Sequence, residues 1–167
     1  NKFKEFTNKR TLVVDDNNTN CLILKSTLDL IGFDIVISYN GKDGLSNLYQ
    51  SVVEDNPFCM ILLDLHMPEM DGFEFAQKVR SNDKFKNVKI IMMSSVAEKG
   101  DIEKSKKIGI DNFLQKPVRQ NDLLQTILST LGENVEHEST SDIQDRDETS
   151  LDNLQILLAE DNIINQK

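Results

Sequence analysis

The chain has 167 residues, enough for one ordinary domain with some length to spare, and a formal net charge of −9. Most of that acidity sits in residues 132–153, where eight acids face Arg146 alone, so residues 1–131 are near neutral with 17 basic and 18 acidic groups. A basic face for nucleic acid and a basic amphipathic stripe for membrane surfaces are both missing, and no apolar run reaches the roughly 20 residues that cross a bilayer. Two cysteines, Cys21 and Cys59, are too few for a disulfide framework and suit a reducing, cytoplasmic setting. The N-terminus lacks the apolar core of a signal peptide, and a start at Asn1 fits a piece excised from a longer chain.

In chain order, the apolar run Thr11–Val14 predicts a first strand ending at Asp15-Asp16. A helix over Thr19–Leu30 follows, with Leu22, Ile23, Ser26, Thr27 and Leu30 at helical spacing, and Gly32 ends it. A strand at Asp34–Ser38 leads to a helix at Lys42–Val53, and Pro57 closes the next loop. The strand Phe58–Leu63 ends at Asp64. Met67 and Met70 then belong to a loop before a helix whose start is marked by Asp71, three residues ahead of Glu74 in a capping-box pattern. A strand at Val88–Met93 ends at Ser94, and a helix spans Gly100–Ile108. The strand Asn112–Gln115 ends at Lys116-Pro117, and a last helix covers Gln120–Leu131. Five short apolar runs alternating with five helices mean an α/β fold, a doubly wound parallel sheet with strands buried on both faces and helices on both sides. Cys59, Met60, Met92 and Met93 read as core of that sheet.

After Leu131 the composition turns to Glu, Asp, Ser and Thr, the signature of a solvated linker over 132–153. The segment 154–167 then repeats the first strand and its sequel. Leu12-Val13-Val14-Asp15-Asp16-Asn17-Asn18-Thr19-Asn20 aligns with Leu157-Leu158-Ala159-Glu160-Asp161-Asn162-Ile163-Ile164-Asn165. This reads as the truncated start of a second copy, too short to bury a core and suited to pairing with an exposed strand edge, even of another molecule.

In a parallel sheet the functional crevice lies beyond the carboxyl ends of the strands. Asp15, Asp16, Asp64, Ser94 and Lys116 each close an apolar run, so three acids, a hydroxyl and an ammonium converge on one rim. Like charges so placed call for a cation, and Mg²⁺ fits because it prefers hard oxygen ligands and phosphate. Asp16 and Asp64 are the expected metal ligands, with Asp15 direct or through water. Taken singly, each site has a blander reading. Asp15 to Asn17 could be a helix cap, His66 a rim residue, His137 a solvated linker residue, and Ser95 could stand in for Ser94. It is the joint order of five sites that outweighs those readings.

Together these residues resemble the receiver domain of two-component response regulators, over about residues 8–131 with 1–7 as a preceding linker. The resemblance rests on Asp15-Asp16, the run Asp64-Leu-His-Met-Pro-Glu-Met-Asp-Gly72, Ser94 and Lys116-Pro117. These are spaced 48 residues from Asp16 to Asp64, then 30 to Ser94 and 22 to Lys116. It implies a flavodoxin-like sheet of order 2-1-3-4-5, Mg²⁺ as cofactor with the His66 backbone carbonyl as an added ligand, and Asp64 as the phosphorylated nucleophile. It further implies Lys116 and Ser94 as partners of the phosphoryl group, Phe113 as the aromatic of a switch coupled to Ser94, and a histidine kinase or histidine phosphotransfer domain as donor. A receiver–receiver dimer is a further partner it allows. The second receiver start resembles the tail of a hybrid sensor histidine kinase, whose parent chain could be membrane-anchored. In receivers, the positions of His66 and Val96 tune attack of water on the phosphoryl group. An imidazole and a valine there lead us to expect a long-lived phosphoryl group.

The segment so read is a phosphoacceptor rather than a turnover enzyme. A haloacid-dehalogenase-like Mg²⁺ phosphatase would want a second acid two residues after the nucleophile, where this chain has His66. A receiver that takes no phosphate and serves only for docking or dimerisation is the remaining alternative.

Overall fold

The computed structural model describes residues 7–95 and 100–132; the acidic linker, the repeated segment 154–167, His137 and Val96 lie outside the described residues. Within them run β1 (Arg10–Val14), α1 (Asn18–Asp29), β2 (Asp34–Ser38), α2 (Gly41–Val53) and β3 (Met60–Asp64). Then follow α3 (Gly72–Arg80), a 3-10 turn (Asp83–Phe85), β4 (Lys89–Ser94), α4 (Asp101–Ile108), β5 (Asn112–Gln115) and α5 (Gln120–Leu131).

Local chemistry explains the boundaries. The Asn17 side chain accepts from the Thr19 and Asn20 N–H groups, satisfying donors that the first turn of α1 leaves unpaired. Asn40 does the same for Asp43 in α2, and Asp71 for Glu74 in α3 at 2.7 Å. The Asp71 cap is one-sided, because the Glu74 carboxylate pairs with Lys78 at 3.2 Å. After α1 the chain turns at Gly32 with φ +91°, a conformation that costs a residue with a Cβ.

All five strands are parallel and ordered β2-β1-β3-β4-β5, as the resemblance implied. Side chains alternate across the sheet. Leu12, Val14, Ile61, Leu63, Ile90 and Met92 meet Leu48, Phe75, Ala76 and Val79 from α2 and α3. Val13, Met60, Leu62, Ile91 and Met93 meet Cys21, Leu24 and Leu28 of α1 and Leu123, Ile127 and Leu128 of α5. Each fully buried side chain of this size contributes about 1.5–3 kcal/mol of apolar transfer.

Four expectations need amendment. The strands are not all buried on both faces: β2 and β5 are only partly buried, because an edge strand lacks a neighbour on one side. Cys59 is half-buried rather than core. Met67 and Met70 are buried in the core although their backbone belongs to the loop after β3. The largest difference is in α1. Leu22, Ile23 and Leu30 are 61%, 57% and 78% exposed, and the inward stripe is Cys21, Leu24 and Leu28. Both stripes have helical spacing, so periodicity could not choose between them. The choice is made by packing, which puts Cys21, Leu24 and Leu28 against Val13 and Leu62 of the sheet, with the Cys21 thiol donating to the Asp15 carbonyl at 3.3 Å.

This assignment of faces has a direct test. Leu28→Ala, in the core between α1 and the sheet, is expected to cost about 2–5 kcal/mol in denaturant unfolding. Leu22→Ala is expected to stay within about 0.5 kcal/mol, as an exposed position should; the reverse ranking would put the wrong face of α1 inward.

Candidate functional site

The sheet order makes β1 and β3 neighbours after the chain has left to form β2, so the two strands that end in acids open onto a common crevice. Backbone bonds carry the ladders past the strand ends. The Asp15 N–H donates to the Ser38 carbonyl, Leu65 to Met93, and Lys116 to Ser94 at 3.2, 2.8 and 2.7 Å.

Alternation assigns each side chain to a face. Asp15 follows Val13, Asp64 follows Leu62, and Lys116 follows Leu114, each two residues on, so all three take the α1–α5 side. There they meet. The Lys116 ammonium lies 2.8 Å from Asp15 Oδ2 and 2.9 Å from Asp64 Oδ1. Asp15 is fully buried and Asp64 is 6% exposed. The Asp16 carboxylate, exposed at the lip, has an oxygen within 4.8 Å of oxygens from both. Asp15 also accepts from the Asn17 N–H at 2.8 Å and from Asn20 Nδ2 at 3.4 and 3.3 Å.

The electrostatics follow from this geometry. Burial is the largest influence on Asp64 and pushes its carboxyl above the ordinary 3.8; Lys116 and the His66 N–H oppose that, while Asp15 adds to it. Burial alone would lower the Lys116 ammonium, but Asp15 and Asp64 outweigh it and hold the group above its ordinary value. Three carboxylates against one ammonium leave a surplus of negative charge in a partly dry crevice. An all-oxygen set of this kind fits a small hard divalent cation such as Mg²⁺ better than a soft metal.

Ser94 and Phe113 lie on the opposite face. Ser94 is two residues on from Met92, and Met92 pairs in register with Phe113, so both point toward the α3–α4 side. Ser94 is fully buried and its hydroxyl lies 3.5 Å from His66 Nδ1, whereas Ser95 is exposed. Phe113 is half-buried against the core of that face. His66 itself is exposed at the rim. The structure thus gathers Asp15, Asp16, Asp64 and Lys116 into one cluster and sets Ser94, His66 and Phe113 alongside it.

Three features at the site escaped the sequence reading. One is Asn20, which reaches Asp15 from the first turn of α1. Another is Gly72, where a Cβ would come 2.5 Å from the Asp64 carbonyl oxygen, so the start of α3 packs directly on the end of β3. The third is the anchoring of the loop after β3 by buried Met67 and Met70 and by the exposed Lys42–Glu69 pair at 2.7 Å. The first had a signal available, since Asn20 recurs as Asn165 in the repeated segment. The other two depend on close approaches that only folding creates.

The chain matches the response regulator receiver domain family over residues 11–128. It is 33% identical over 135 residues to hybrid signal transduction histidine kinase L of Dictyostelium discoideum, covering 79% of this chain. That match spans only 8% of the kinase's length. It is 32% identical over 127 residues to chemotaxis protein CheY1 of Helicobacter pylori (strain ATCC 700392 / 26695), covering 75% of this chain and 98% of that protein. Among solved structures it resembles the CheY-like response regulator receiver domain protein of Methanospirillum hungatei JF-1. The TM-score is 0.66 at 29% identity, over 75% of this chain and 94% of that one.

The strain at Asp64 has a measurable sign. A carboxyl whose pKa is raised by folding binds its proton more readily in the native state than in the unfolded one, so ionising it opposes folding. Its penalty is absent below the ordinary value of 3.8 and develops as pH rises through the raised value. In metal-free protein, Asp64→Asn is expected to raise the unfolding temperature at pH 7, with the gain shrinking toward pH 3.5. Mg²⁺ is expected to stabilise the wild type and to do so much less for the variant. Thermal unfolding with and without Mg²⁺ checks both; a loss of stability in metal-free Asp64→Asn at pH 7 contradicts the assignment.

Proposed function

Because this chain belongs to the response regulator receiver domain family, we propose that Asp64 accepts a phosphoryl group from a phosphohistidine and that the new group resets an interaction surface. Receiver domains bind Mg²⁺ at an acidic pocket, and here Asp16 and Asp64 would ligate it, with Asp15 direct or through water and the His66 carbonyl as a further ligand. When bound, Mg²⁺ supplies neutralisation of the charge that develops on the transferred oxygens. One observation carries the reading: the Lys116 ammonium bridges Asp15 and Asp64 at 2.8 and 2.9 Å beside the exposed Asp16 carboxylate.

The residues account for the transfer. An Asp64 carboxylate oxygen attacks the phosphorus, the new O–P bond forms as the N–P bond breaks, and the electron pair returns to the imidazole of the donor. Lys116 already touches Asp64 and is the cation best placed to follow the incoming phosphoryl oxygens. Ser94, on the other face, would donate its hydroxyl to one of those oxygens. Leaving His66 for that bond, it would vacate space into which Phe113 can move, repacking the surface of α4, β5 and α5. Phe113 carries no hydroxyl, so its inward position is a matter of packing alone.

The donor histidine must reach Asp64, so the donor lands on the rim. The exposed Ile23 of α1 lines a small cavity of about 130 Å³ together with Asn20, Leu24, Lys116, Pro117 and Val118. An apolar helix of a histidine kinase or phosphotransfer domain would cover that area. A parent hybrid kinase, with a second receiver beginning near residue 154 and this domain on its cytoplasmic side, belongs to the same proposal. The unpaired Cys21 and Cys59 thiols suit a reducing compartment.

Incubation with acetyl phosphate and Mg²⁺, read by intact-protein mass spectrometry, is expected to add one phosphoryl group, which is lost with EDTA or in Asp64→Asn. Failure to label, under conditions that label a chemotaxis receiver, would favour a domain used only for docking. Labelling that survives Asp64→Asn would place the acceptor elsewhere. The lifetime of the adduct tests the rim: with His66 crowding the path of water, decay is expected to be slow, and His66→Asn is expected to hasten it several-fold. Rapid decay that His66→Asn leaves unchanged would remove His66 from that role.

A further inference from the structure

We propose that Asn20 is a positioning residue for the acceptor site, its side-chain amide holding the Asp15 carboxylate in place while Lys116 changes partners. The inference rests on the phosphoacceptor reading and adds a residue to it.

Asp15 is fully buried and ionic, so it needs donors at both oxygens. Oδ1 accepts from the Asn17 N–H at 2.8 Å, and Oδ2 accepts from Lys116 Nζ at 2.8 Å. The Asn20 amide is a third donor, and its Nδ2 sits between the two oxygens, 3.4 Å from Oδ1 and 3.3 Å from Oδ2. With Lys116 in place this third contact is long and redundant. It ceases to be redundant once a phosphoryl group on Asp64 draws the ammonium away. Oδ2 then loses its short ammonium contact, and a carboxylate this buried must keep its orientation with the donors that remain. A small shift of the Asn20 amide toward Oδ2 closes that gap without moving α1.

Two further facts point the same way. Asparagine is one of the poorer helix formers, so its presence in the first turn of α1 is not explained by helix stability. Moreover, Asn17 alone accepts the N–H groups of Thr19 and Asn20, so the helix start does not use the Asn20 side chain. The second fact is the repeat. Asp16-Asn17-x-x-Asn20 recurs as Asp161-Asn162-x-x-Asn165, while Asn18 and Thr19 between them become Ile163 and Ile164. In sequence, both copies place asparagines one and four residues after the acid pair, while the intervening residues change from polar to apolar. A residue retained only for solubility would vary with them.

Outer contacts that orient a metal-binding carboxylate typically affect metal affinity or activity by about 10–100-fold. The test compares wild type, Asn20→Ala, Asn20→Gln and Asp64→Asn. Mg²⁺ affinity is measured by titration calorimetry with no phosphodonor present, and labelling by acetyl phosphate is measured across Mg²⁺ concentrations. Asn20→Ala is expected to weaken Mg²⁺ about 10-fold and to slow labelling at saturating Mg²⁺, with an unfolding transition that shows the variant folded. Asn20→Gln, which keeps an amide donor, is expected to recover part of both losses. Unchanged Mg²⁺ affinity and labelling rate in a folded Asn20→Ala would overturn the inference, as would losses that Asn20→Gln does not relieve. If wild type itself is not labelled, the phosphoacceptor reading falls, and the calorimetric comparison still decides whether Asn20 orients Asp15.

Discussion

Two carboxylates held out of water by one ammonium form the constraint around which this domain is organised. Asp15 and Asp64 stand at the ends of different strands that become neighbours only because β2 is placed on the far side of β1. Bringing them together in a partly dry crevice raises the cost of ionising Asp64, and Lys116, arriving from the last strand, offsets only part of it. The site is thus pre-stressed with negative charge. A divalent cation or a competing claim on Lys116 relieves or redistributes that stress, which is what makes such a cluster suited to taking up a phosphoryl group rather than to stabilising the fold.

The alternation of side chains divides the rim into two compartments. Asp15, Asp64 and Lys116 fall on the face covered by α1 and α5, whereas Ser94 and Phe113 fall on the face covered by α3 and α4. The acids and the Ser94–Phe113 pair are therefore on opposite faces of the sheet and meet at its edge, where the exposed His66 lies 3.5 Å from the Ser94 hydroxyl. A group added at Asp64, as proposed, would sit at that edge between the two sides. Such a layout lets a local change of charge act on a surface that does not itself touch the acids.

The loop after β3 is more buried than its polar and proline residues suggest. Met67 and Met70 insert into the core below it, and Gly41 lies so close that a Cβ there would approach the Met70 sulfur to 2.8 Å. Gly72 brings the start of α3 against the Asp64 carbonyl. These contacts pack Asp64 from below and behind. At the opposite end of the sheet, Arg80 bonds the Gly109 carbonyl at 2.8 Å and pairs with Asp111 at 3.0 Å. This anchors the C-terminal end of α4 while its N-terminal end faces the rim.

Much of this was legible in the sequence. Five apolar runs of strand length, each closed by a polar residue, suffice to indicate an α/β sheet and its functional rim, because strand interiors must be apolar and strand ends need not be. The acids, Ser94 and Lys116 were readable for the same reason. Other features depend on which of several equivalent surfaces ends up facing another. The two stripes of α1 have the same helical spacing, and only packing against β1 turned Cys21, Leu24 and Leu28 inward. Met67 and Met70 read as loop because burial of a loop side chain depends on what lies beneath it. The Asn20 contact and the closeness of Gly72 to Asp64 are distances between segments, absent from any local pattern. The sequence by itself determined which groups stand at the strand ends. Tertiary structure decided which of them share a face, since alternation and strand order act jointly and neither is visible one segment at a time.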